Sequence, residues 1–358
     1  MKPRRKPLLA ISMGDPAGVG PEVVLKAASV LDVRGDADLL VYGDVMVLER
    51  AARDMAVPMR MVSVETAADA RAHSGSDVLA VVPVSQMDMR EHRWASPSVD
   101  SDLAQVEYVK AAFDAIWTKQ ADAIVTAPIN KRSLRRAGAK WPGHTEMLSE
   151  LSGGARPLMM LAGPTLKVVP LTTHVPLKDV PGLLSIELVA HAIRVAQETF
   201  KVHFGAHRPR IAVAGLNPHA GEEGLFGDEE REIIGPAVEA ARAEGIAAIG
   251  PISGDTVFHR AMTGEFDVVI GMYHDQALIP LKLLDFDRAV NVTLGLPLVR
   301  TSVDHGTAYD IAGRGVASAH SMIEALRLAA RMVRDGWKAS ARSARAAGDS
   351  DSEQTASS

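Results

Sequence analysis

Short apolar runs alternate with longer stretches of helical periodicity along nearly the whole chain. Short apolar runs are typical of buried strands, and the longer amphipathic stretches are typical of helices. A chain that alternates the two is expected to form a layered α/β protein with a largely parallel or mixed sheet. The predicted strands are residues 8–12, 39–42, 79–82, 123–126, 158–161, 167–171, 210–214, 268–271 and 289–293. The predicted helices are residues 21–31, 45–55, 102–118, 186–200, 228–244 and 321–335.

Composition narrows the class of protein. The chain has 358 residues, enough for one large or two ordinary domains, and its 47% hydrophobic content is that of a globular protein. Aromatic residues make up only 4%, so the core must consist of Ala, Val, Leu, Ile and Met. A net charge of −5 without a basic stripe argues against a nucleic-acid partner. The absence of cysteine excludes disulfides, thiolate zinc sites and cysteine nucleophiles, and it favours a cytoplasmic location.

The two ends of the chain carry their own expectations. The basic segment 1–6 is followed by an apolar stretch, residues 8–11, that is too short for a signal peptide. No apolar run approaches the roughly 20 residues that span a bilayer, so no membrane partner is expected. Residues 338–358 are rich in Ser, Ala and Asp and are predicted to be a disordered tail.

Three histidines share one sequence context, because His174, His219 and His274 each follow an apolar run of strand length. Ligands of open α/β sheets bind at the carboxyl ends of strands, where three imidazoles can converge on one divalent cation. Such a site leaves coordination positions open for a substrate. A single histidine at a strand end is more often a surface residue, so the hypothesis depends on the context that the three share.

Polar residues also interrupt apolar sequence near the C-terminal third of the chain. Lys282, Asn291 and Arg300 lie nine residues apart, and a charge buried without a partner is costly. An amine, an amide and a guanidinium together can bind a phosphate or a carboxylate, although each can also snorkel to the surface. Thr145 can cap a helix, or it can act with His144 on a substrate phosphate or hydroxyl.

The remaining candidate functional motifs are two glycine-containing segments and two aspartates. Segment 14–22 can pack a helix against a strand or receive an anion at the helix start, but it lacks the dinucleotide fingerprint. In segment 305–315, Asp310 can bond a ribose hydroxyl. Asp275 can orient a histidine ligand, and both Asp275 and Asp255 can instead cap helices.

Together these segments resemble the 4-hydroxythreonine-4-phosphate dehydrogenase family of pyridoxal phosphate (vitamin B6) biosynthesis. The resemblance covers almost the whole chain and is most specific through residues 273–282, 291–297 and 300–308. It implies a three-layer, isopropylmalate-dehydrogenase-like α/β fold, whose mixed, largely parallel sheet forms two subdomains with the site in the cleft between them. The implied subdomains are residues 1–128 plus 303–337 on the NAD side, and residues 129–302 for substrate, metal and dimerisation, followed by the tail 338–358.

The resemblance also implies a role for each candidate residue. One divalent metal (Zn, Mg or Co) would be held by His174, His219 and His274. The phosphorylated substrate would be held by His144, Thr145, Lys282, Asn291 and Arg300. NAD or NADP would contact His305, Gly306, Asp310 and Ile311. The candidates for the general base are Lys282 and Asp255.

The implied reaction is the oxidation of the C3 hydroxyl of 4-phosphooxy-L-threonine with decarboxylation to 3-amino-2-oxopropyl phosphate. The implied assembly is a homodimer with the active site at the subunit interface. Oxidation of erythronate or threonate 4-phosphate is the alternative, since some relatives use these substrates. A metal-dependent phosphohydrolase and a non-catalytic phosphometabolite-binding protein are the alternatives from other classes.

Overall fold

The computed structural model describes residues 5–73 and 77–356, with side chains as far as residue 340. The first four residues of the basic N-terminal segment and the last two of the predicted tail lie outside this description. The strands are β1 Leu8–Ser12, β2 Asp38–Gly43, β3 Arg60–Ser63, β4 Val78–Pro83, β5 Ala123–Thr126, β6 Leu158–Ala162, β7 Lys167–Thr172, β8 Ile211–Ala214, β9 Ala248–Ile252, β10 Val268–Tyr273, β11 Val290–Leu294 and β12 Arg300–Val303. The α-helices are α1 Gly20–Ala28, α2 Leu31–Asp36, α3 Val45–Asp54, α4 Ala67–Ala72, α5 Val99–Trp117, α6 Lys131–Arg136, α7 His144–Leu151, α8 Val180–Leu183, α9 Ile186–His203, α10 Gly235–Ala243, α11 Gly254–Met262, α12 His274–Asp285 and α13 His320–Ala356. A 3₁₀ turn spans Leu177–Asp179, and a π-helix spans Glu230–Ile234.

The chain forms two compact units. Unit 1 comprises residues 1–157 and 287–330, and unit 2 comprises residues 158–286 and 331–358. The predicted subdomains divided the chain at 128 and 302 instead. The difference has a physical reason, because Leu134 of α6 and Met147 of α7 pack into the hydrophobic core of unit 1. The pairing of β12 with β5, and of β11 with β12, likewise keeps the segment around Arg300 in unit 1.

In unit 1 the strand order is β3-β4-β2-β1-β5-β12-β11, and only the β11–β12 pair is antiparallel. Every residue of β1 is buried, as expected for a parallel strand that is covered on both faces. The core of unit 1 is mainly aliphatic, with Leu8, Leu40 and Ile124 from the strands packed against α5, and it also contains Tyr42 and Phe113. The low aromatic content therefore produced the kind of core that the composition predicted.

In unit 2 the strand order is β6-β7-β10-β8-β9, in which β6 pairs antiparallel with β7 and the other pairs are parallel. Val189, Ile193 and Phe200 of α9 are buried on its sheet. Because β7, β10 and β8 are parallel neighbours, their carboxyl ends lie at the same edge. This edge is where the sequence predicted the three histidines. The predicted α/β class with a mixed, mostly parallel sheet is confirmed.

Three departures from the predicted elements affect the site. Strand β12 was missed because Arg300, Thr301 and Ser302 break the apolar pattern. Helix α12 was missed because it begins directly after β10 and contains Pro280. Helix α13 continues to Ala356, whereas the sequence predicted a disordered tail from Lys338, and the alanines and arginines of this segment are good helix formers. No helix in the described part of the chain has the length and apolar character needed to cross a membrane.

A buried carboxylate holds the end of α12 against the β6–β7 hairpin. Asp285 is 6% exposed and accepts hydrogen bonds from the Thr165 amide (3.0 Å), the Thr165 hydroxyl (3.1 Å) and the Leu166 amide (3.2 Å). A β-carbon at Gly163 would lie 2.1 Å from the same carboxylate, so only glycine allows this approach. Since α12 begins at His274, this anchor also helps to position the candidate site.

Replacing Asp285 by Ala is therefore expected to lower the free energy of unfolding by about 2–3 kcal/mol, because buried N–H and O–H donors lose a charged acceptor. Urea denaturation measures the change. The exposed Asp287 provides the matched control, and Asp287→Ala should stay within about 0.5 kcal/mol of wild type. Equal stability of the two variants would show that the Asp285 anchor contributes nothing.

Candidate active site

The three predicted metal ligands lie just beyond the carboxyl ends of three adjacent parallel strands in unit 2. His174 follows β7 by two residues, His274 directly follows β10, and His219 follows β8 by five. Each strand is buried and apolar up to its last residues, so the chain turns polar where it leaves the sheet. The placement of the three residues at one sheet edge agrees with the sequence prediction.

Two of the imidazoles are close neighbours. The ring centroids of His174 and His274 are 5.9 Å apart, with the rings tilted by 43°. The Nδ1 atom of His274 lies 2.6 Å from Oδ1 of Asp275. A carboxylate at Nδ1 favours the tautomer that leaves Nε2 unprotonated, and it orients the ring for ligation. Asp275 therefore has the orienting contact that the sequence suggested.

The third imidazole belongs to an unusual turn. His219, Ala220, Gly221, Glu222 and Glu223 all have positive φ, between 41° and 80°. In this left-handed region a non-glycine residue costs roughly 1–2 kcal/mol. Among the residues that the structure describes, no group of three or more His, Asp or Glu side chains lies close enough to hold a metal ion. The structure thus pairs His174 with His274 but does not bring His219 into a group of three, so the complete triad stays a prediction.

The donor chemistry of this edge nevertheless fits a divalent metal. Neutral imidazoles are ligands for Zn, Co and related ions. The two adjacent rings come from the loop after β7 and from the start of α12, and the His274 ring is already oriented by a carboxylate. Any metal at this edge would therefore be held by His174 and His274, with His219 as the third candidate ligand.

A cavity of about 550 Å³ opens beside His219. Its polar lining includes His219, Asp255, Asp275 and Gln276. Asp255 accepts a hydrogen bond from the Ser253 hydroxyl at 2.7 Å and lies in the first turn of α11, so it does not cap that helix. Asp255, one of the two predicted general bases, therefore lines the same cavity as His219 and as Asp275, the neighbour of His274.

Two residues that the sequence did not single out tie these loops together. The side chain of Gln276 accepts a hydrogen bond from the Met272 amide (2.6 Å) and donates one to the Gly215 carbonyl (2.7 Å). The Thr172 hydroxyl donates to the Met272 carbonyl at 2.8 Å. These contacts join the ends of β7, β8 and β10. Gln276 follows His274 and Asp275 in sequence, and this proximity was the only signal that could have identified it.

Arg300, the first residue of β12, is one of the predicted substrate residues of unit 1. Its guanidinium is buried and donates from one terminal nitrogen to Thr293 Oγ1 (2.9 Å) and from the other to Thr126 Oγ1 (2.7 Å). Burial lowers the pKa of Arg300 to about 10, while nearby Glu146 acts in the opposite direction. The side chain therefore remains a cation at neutral pH and is held in one orientation, so it does not snorkel to the surface.

Buried polar atoms without a partner mark the same region. They include Nε of Arg300, Nε2 of His144 and Oδ1 of Asn291. These are three of the seven such side-chain atoms in the described part of the chain, and all three belong to predicted substrate residues. Because an unpaired buried polar atom is costly, such atoms are expected where a ligand supplies the missing partner. Burial, followed by the positive charge of Arg300, holds the pKa of His144 well below its ordinary value.

The other two predicted substrate residues have different surroundings. Thr145 is the second residue of α7, whose N-cap is Gly143, so Thr145 does not cap the helix. Lys282 belongs to unit 2, where it lines a cavity of about 400 Å³ together with His274 and Asp275. Its ammonium lies 5.7 Å from the ring centroid of Phe286.

The predicted NAD residues lie in the loop between β12 and α13. His305, Gly306 and Asp310 are exposed and Ile311 is half-buried. No atom of the described residues would lie within 4 Å of a β-carbon at Gly306. The glycine-containing segment 14–22 fastens this loop. The Val19 amide donates to the Thr307 carbonyl (3.0 Å), and the Tyr309 hydroxyl donates to the buried Asp15 carboxylate (2.5 Å). Segment 14–22 therefore holds this loop in place, a role that the sequence did not predict for it.

The fold and these clusters define an α/β protein with an imidazole group on one unit and a buried cationic group on the other. A family model described as the pyridoxal phosphate biosynthetic protein PdxA matches residues 36–329. The 4-hydroxythreonine-4-phosphate dehydrogenase of Geobacter metallireducens is 48% identical over 332 residues, which are 93% of this chain and 97% of that protein. The D-threonate 4-phosphate dehydrogenase of Cupriavidus necator is 43% identical, over 91% of this chain and 97% of that protein.

A solved structure agrees with these relatives. The 4-hydroxythreonine-4-phosphate dehydrogenase of Klebsiella pneumoniae superimposes with a TM-score of 0.85 at 39% identity, covering 92% of this chain and all of that one. The chain belongs to the PdxA family. The resemblance identified in the sequence is confirmed, and with it the prediction of an enzyme of the dehydrogenase class.

The depressed pKa of His144 predicts a pH effect on stability. The folded protein keeps His144 neutral, while the unfolded chain takes up a proton below its ordinary pKa of 6.5. The unfolded state then binds more protons, so stability falls as the pH drops below about 6.5, by at most about 1.4 kcal/mol per pH unit. In His144→Gln this contribution should disappear, which chemical denaturation between pH 5 and 7 measures as the difference from wild type.

The exposed His73 supplies the control for this measurement. His73→Gln should follow the pH dependence of wild type. If His144→Gln also followed it, the His144 imidazole would not be held neutral by burial.

Proposed function

We propose that this protein catalyses the NAD-dependent, divalent-metal-dependent oxidation of the C3 hydroxyl of 4-phosphooxy-L-threonine. Decarboxylation then yields 3-amino-2-oxopropyl phosphate for pyridoxal 5′-phosphate biosynthesis. The names of relatives such as that of Geobacter metallireducens support the substrate. The observation that carries the proposal is the set of unpartnered buried atoms on His144, Asn291 and Arg300, which are the residues expected to hold a phosphorylated substrate.

The cationic group of unit 1 suits the phosphate end of this substrate. Thr126 and Thr293 fix the guanidinium of Arg300, so its unpartnered Nε–H points in one direction and can donate to a phosphate oxygen. His144 is neutral and can donate from Nε2, while Oδ1 of Asn291 can accept from a substrate hydroxyl or ammonium group. Thr145 and Lys282 are the further phosphate ligands of the proposal. Binding energy from this end orients the C3 carbon for reaction.

The imidazole edge of unit 2 suits the reacting end. His174 and His274, with His219, would hold the metal, and Asp275 keeps Nε2 of His274 available as a ligand. A divalent metal, when bound there, supplies a Lewis acid that lowers the pKa of the substrate hydroxyl. The C3 hydroxyl proton is accepted by the Asp255 carboxylate, or by Lys282 where its side chain is the neutral amine. Asp255 lines the same cavity as His219, and Lys282 shares a second cavity with His274.

The loop of unit 1 that carries His305, Gly306, Asp310 and Ile311 is the proposed binding site for the cofactor. NAD, when bound, supplies the hydride acceptor. The exposed Asp310 carboxylate can accept hydrogen bonds from ribose hydroxyls, and the open space at Gly306 allows a planar base to approach the backbone. The hydrogen bonds of Val19 and Tyr309 hold the loop in place.

A second substrate is favoured by one specific relative. The Cupriavidus necator protein is named D-threonate 4-phosphate dehydrogenase and is 43% identical to this chain. Threonate 4-phosphate carries the same phosphate and the same kind of secondary alcohol but has no amino group. The phosphate ligands and the metal site would serve both substrates, so the choice between them depends on how the group at C2 is recognised.

We also propose that the protein acts as a homodimer with the active site at the subunit interface. Helix α12 presents an exposed apolar surface in which Ile279, Leu283 and Phe286 are 58%, 82% and 69% exposed. Exposed apolar surface of this kind is typical of an interface. The same helix carries His274 and Lys282, and all five residues line one cavity. A second copy on this surface would therefore lie directly beside the proposed reacting groups.

The function is tested by following NADH formation with 4-phosphooxy-L-threonine and, separately, with D-threonate and erythronate 4-phosphates. Turnover of the threonine derivative is expected, and chelation should lower the activity at least about 100-fold, because a bound metal would supply the Lewis acid for the oxidation. Turnover of D-threonate or erythronate 4-phosphate alone would assign the enzyme to a catabolic reaction instead. Release of inorganic phosphate without NADH would indicate a phosphohydrolase instead.

Replacing Leu283 by Asp tests the dimer. The charge is expected to weaken association by at least about 30-fold, equivalent to the ~2 kcal/mol of a central interface residue. Sedimentation velocity over a concentration series measures the change. Leu31→Asp is the matched control, because Leu31 is 70% exposed on unit 1 and should leave the assembly unchanged. A Leu283→Asp variant that dimerises as wild type does would exclude α12 from the interface.

A further inference from the structure

The turn that carries His219 has a backbone conformation that its surroundings must maintain. Residues 219–223 are all left-handed, and four of these five residues are not glycine. Such a conformation persists only where neighbouring groups over-determine it, and it is often found at functional sites. The contacts around the turn therefore indicate how His219 is presented.

One buried side chain dominates those contacts. Glu230 is 5% exposed, and its two carboxylate oxygens accept hydrogen bonds from the same residue at the entrance of the turn. The backbone amide of Asn217 donates to Oε1 at 2.7 Å, and the side-chain amide of Asn217 donates to Oε2 at 3.0 Å. Glu229 accepts a further bond from the Asn217 side chain at 2.7 Å. Because Asn217 precedes His219 by two residues, this pairing fixes the start of the turn.

The same carboxylate also fills the inside of the turn. A β-carbon at Gly221 would lie 2.7 Å from Oε2 of Glu230, and one at Gly215 would lie 3.0 Å from Oε1. Both glycines are therefore needed for the backbone to approach the carboxylate. Glu230 also begins a π-helical turn, a distortion that occurs frequently at functional sites.

We propose that Glu230 is a positioning residue that holds the left-handed turn and thereby sets how His219 is presented as the third candidate ligand of a metal held by His174 and His274. This inference rests on the proposed function. An ionised carboxylate only accepts hydrogen bonds, and both of its oxygens are used by N–H donors of Asn217. A glutamine of the same shape places an NH₂ group against one of those donors, so the turn loses a contact that no rotation of the amide restores.

The experiment measures the binding of cobalt(II) alone to metal-free protein, with calorimetry for the Kd and the visible absorption bands for the coordination geometry. Glu230→Gln is expected to weaken cobalt binding 10- to 100-fold, the usual effect of changing a residue that orients a ligand. The intensity of the bands should change with it. Hydrogen exchange should rise in residues 216–224.

The matched control is Glu232→Gln. Glu232 lies in the same π-helix but is exposed and pairs with Arg231 at the surface, at 3.2 Å. This variant should bind cobalt as wild type does. A purely structural role of Glu230 would lower the melting temperature of Glu230→Gln and leave the cobalt Kd and spectrum unchanged, which would overturn the proposal.

The experiment distinguishes failure of the role proposed for Glu230 from failure of the metal site in the proposed function. If wild type bound cobalt and Glu230→Gln bound it equally well, only the role of Glu230 would be refuted. If wild type bound no cobalt, the metal in the proposed function would be refuted as well. If Glu230→Gln did not fold, Asn217→Ala would decide, because it keeps the backbone bond to Glu230 and loses only the side-chain bonds. A several-fold weaker cobalt Kd supports the proposal, and an unchanged Kd overturns it.

Discussion

The parallel pairing of neighbouring strands is the constraint on which the rest of the structure depends. In unit 2 it places the ends of β7, β10 and β8 at one edge, so that loops far apart in sequence emerge together. In unit 1 the parallel pairing of β12 with β5 places Arg300 beside Thr126. Parallel strands buried on both faces carry few polar groups of their own, and the polar residues are therefore concentrated where the strands end.

Whether a buried polar group has a partner separates the scaffold from the candidate binding surface. Asp285, Glu230 and Gln276 are paired with backbone or side-chain groups and hold loops in defined positions. His144 and Asn291, in contrast, keep buried polar atoms without partners. Since leaving such atoms unpaired costs free energy, the fold must tolerate this cost where a ligand is to bind. The first group determines the geometry of the loops, and the second is available for recognition.

Much of the architecture was predictable because buried parallel strands appear in the sequence as continuous apolar runs. Strands such as β1, β5 and β7 were predicted close to their observed bounds, since nothing polar interrupts them. Strand β12 was not predicted, because its first residue is the buried Arg300 whose partners lie on other strands. The segment 228–244, which was predicted as one helix, begins with a π-helix. Hydrophobic periodicity does not distinguish a π-helix from an α-helix.

The sequence by itself determined the class of fold, the ends of the central strands and the types of residue that follow them. These properties are local, because an apolar run and the polar residues that end it are neighbours in the sequence. The tertiary structure alone decided that His174 meets His274, that His219 lies on a left-handed turn around Glu230, and that Arg300 is held by two threonines. These features depend on backbone dihedral angles and on contacts between strands, which no spacing along the chain specifies.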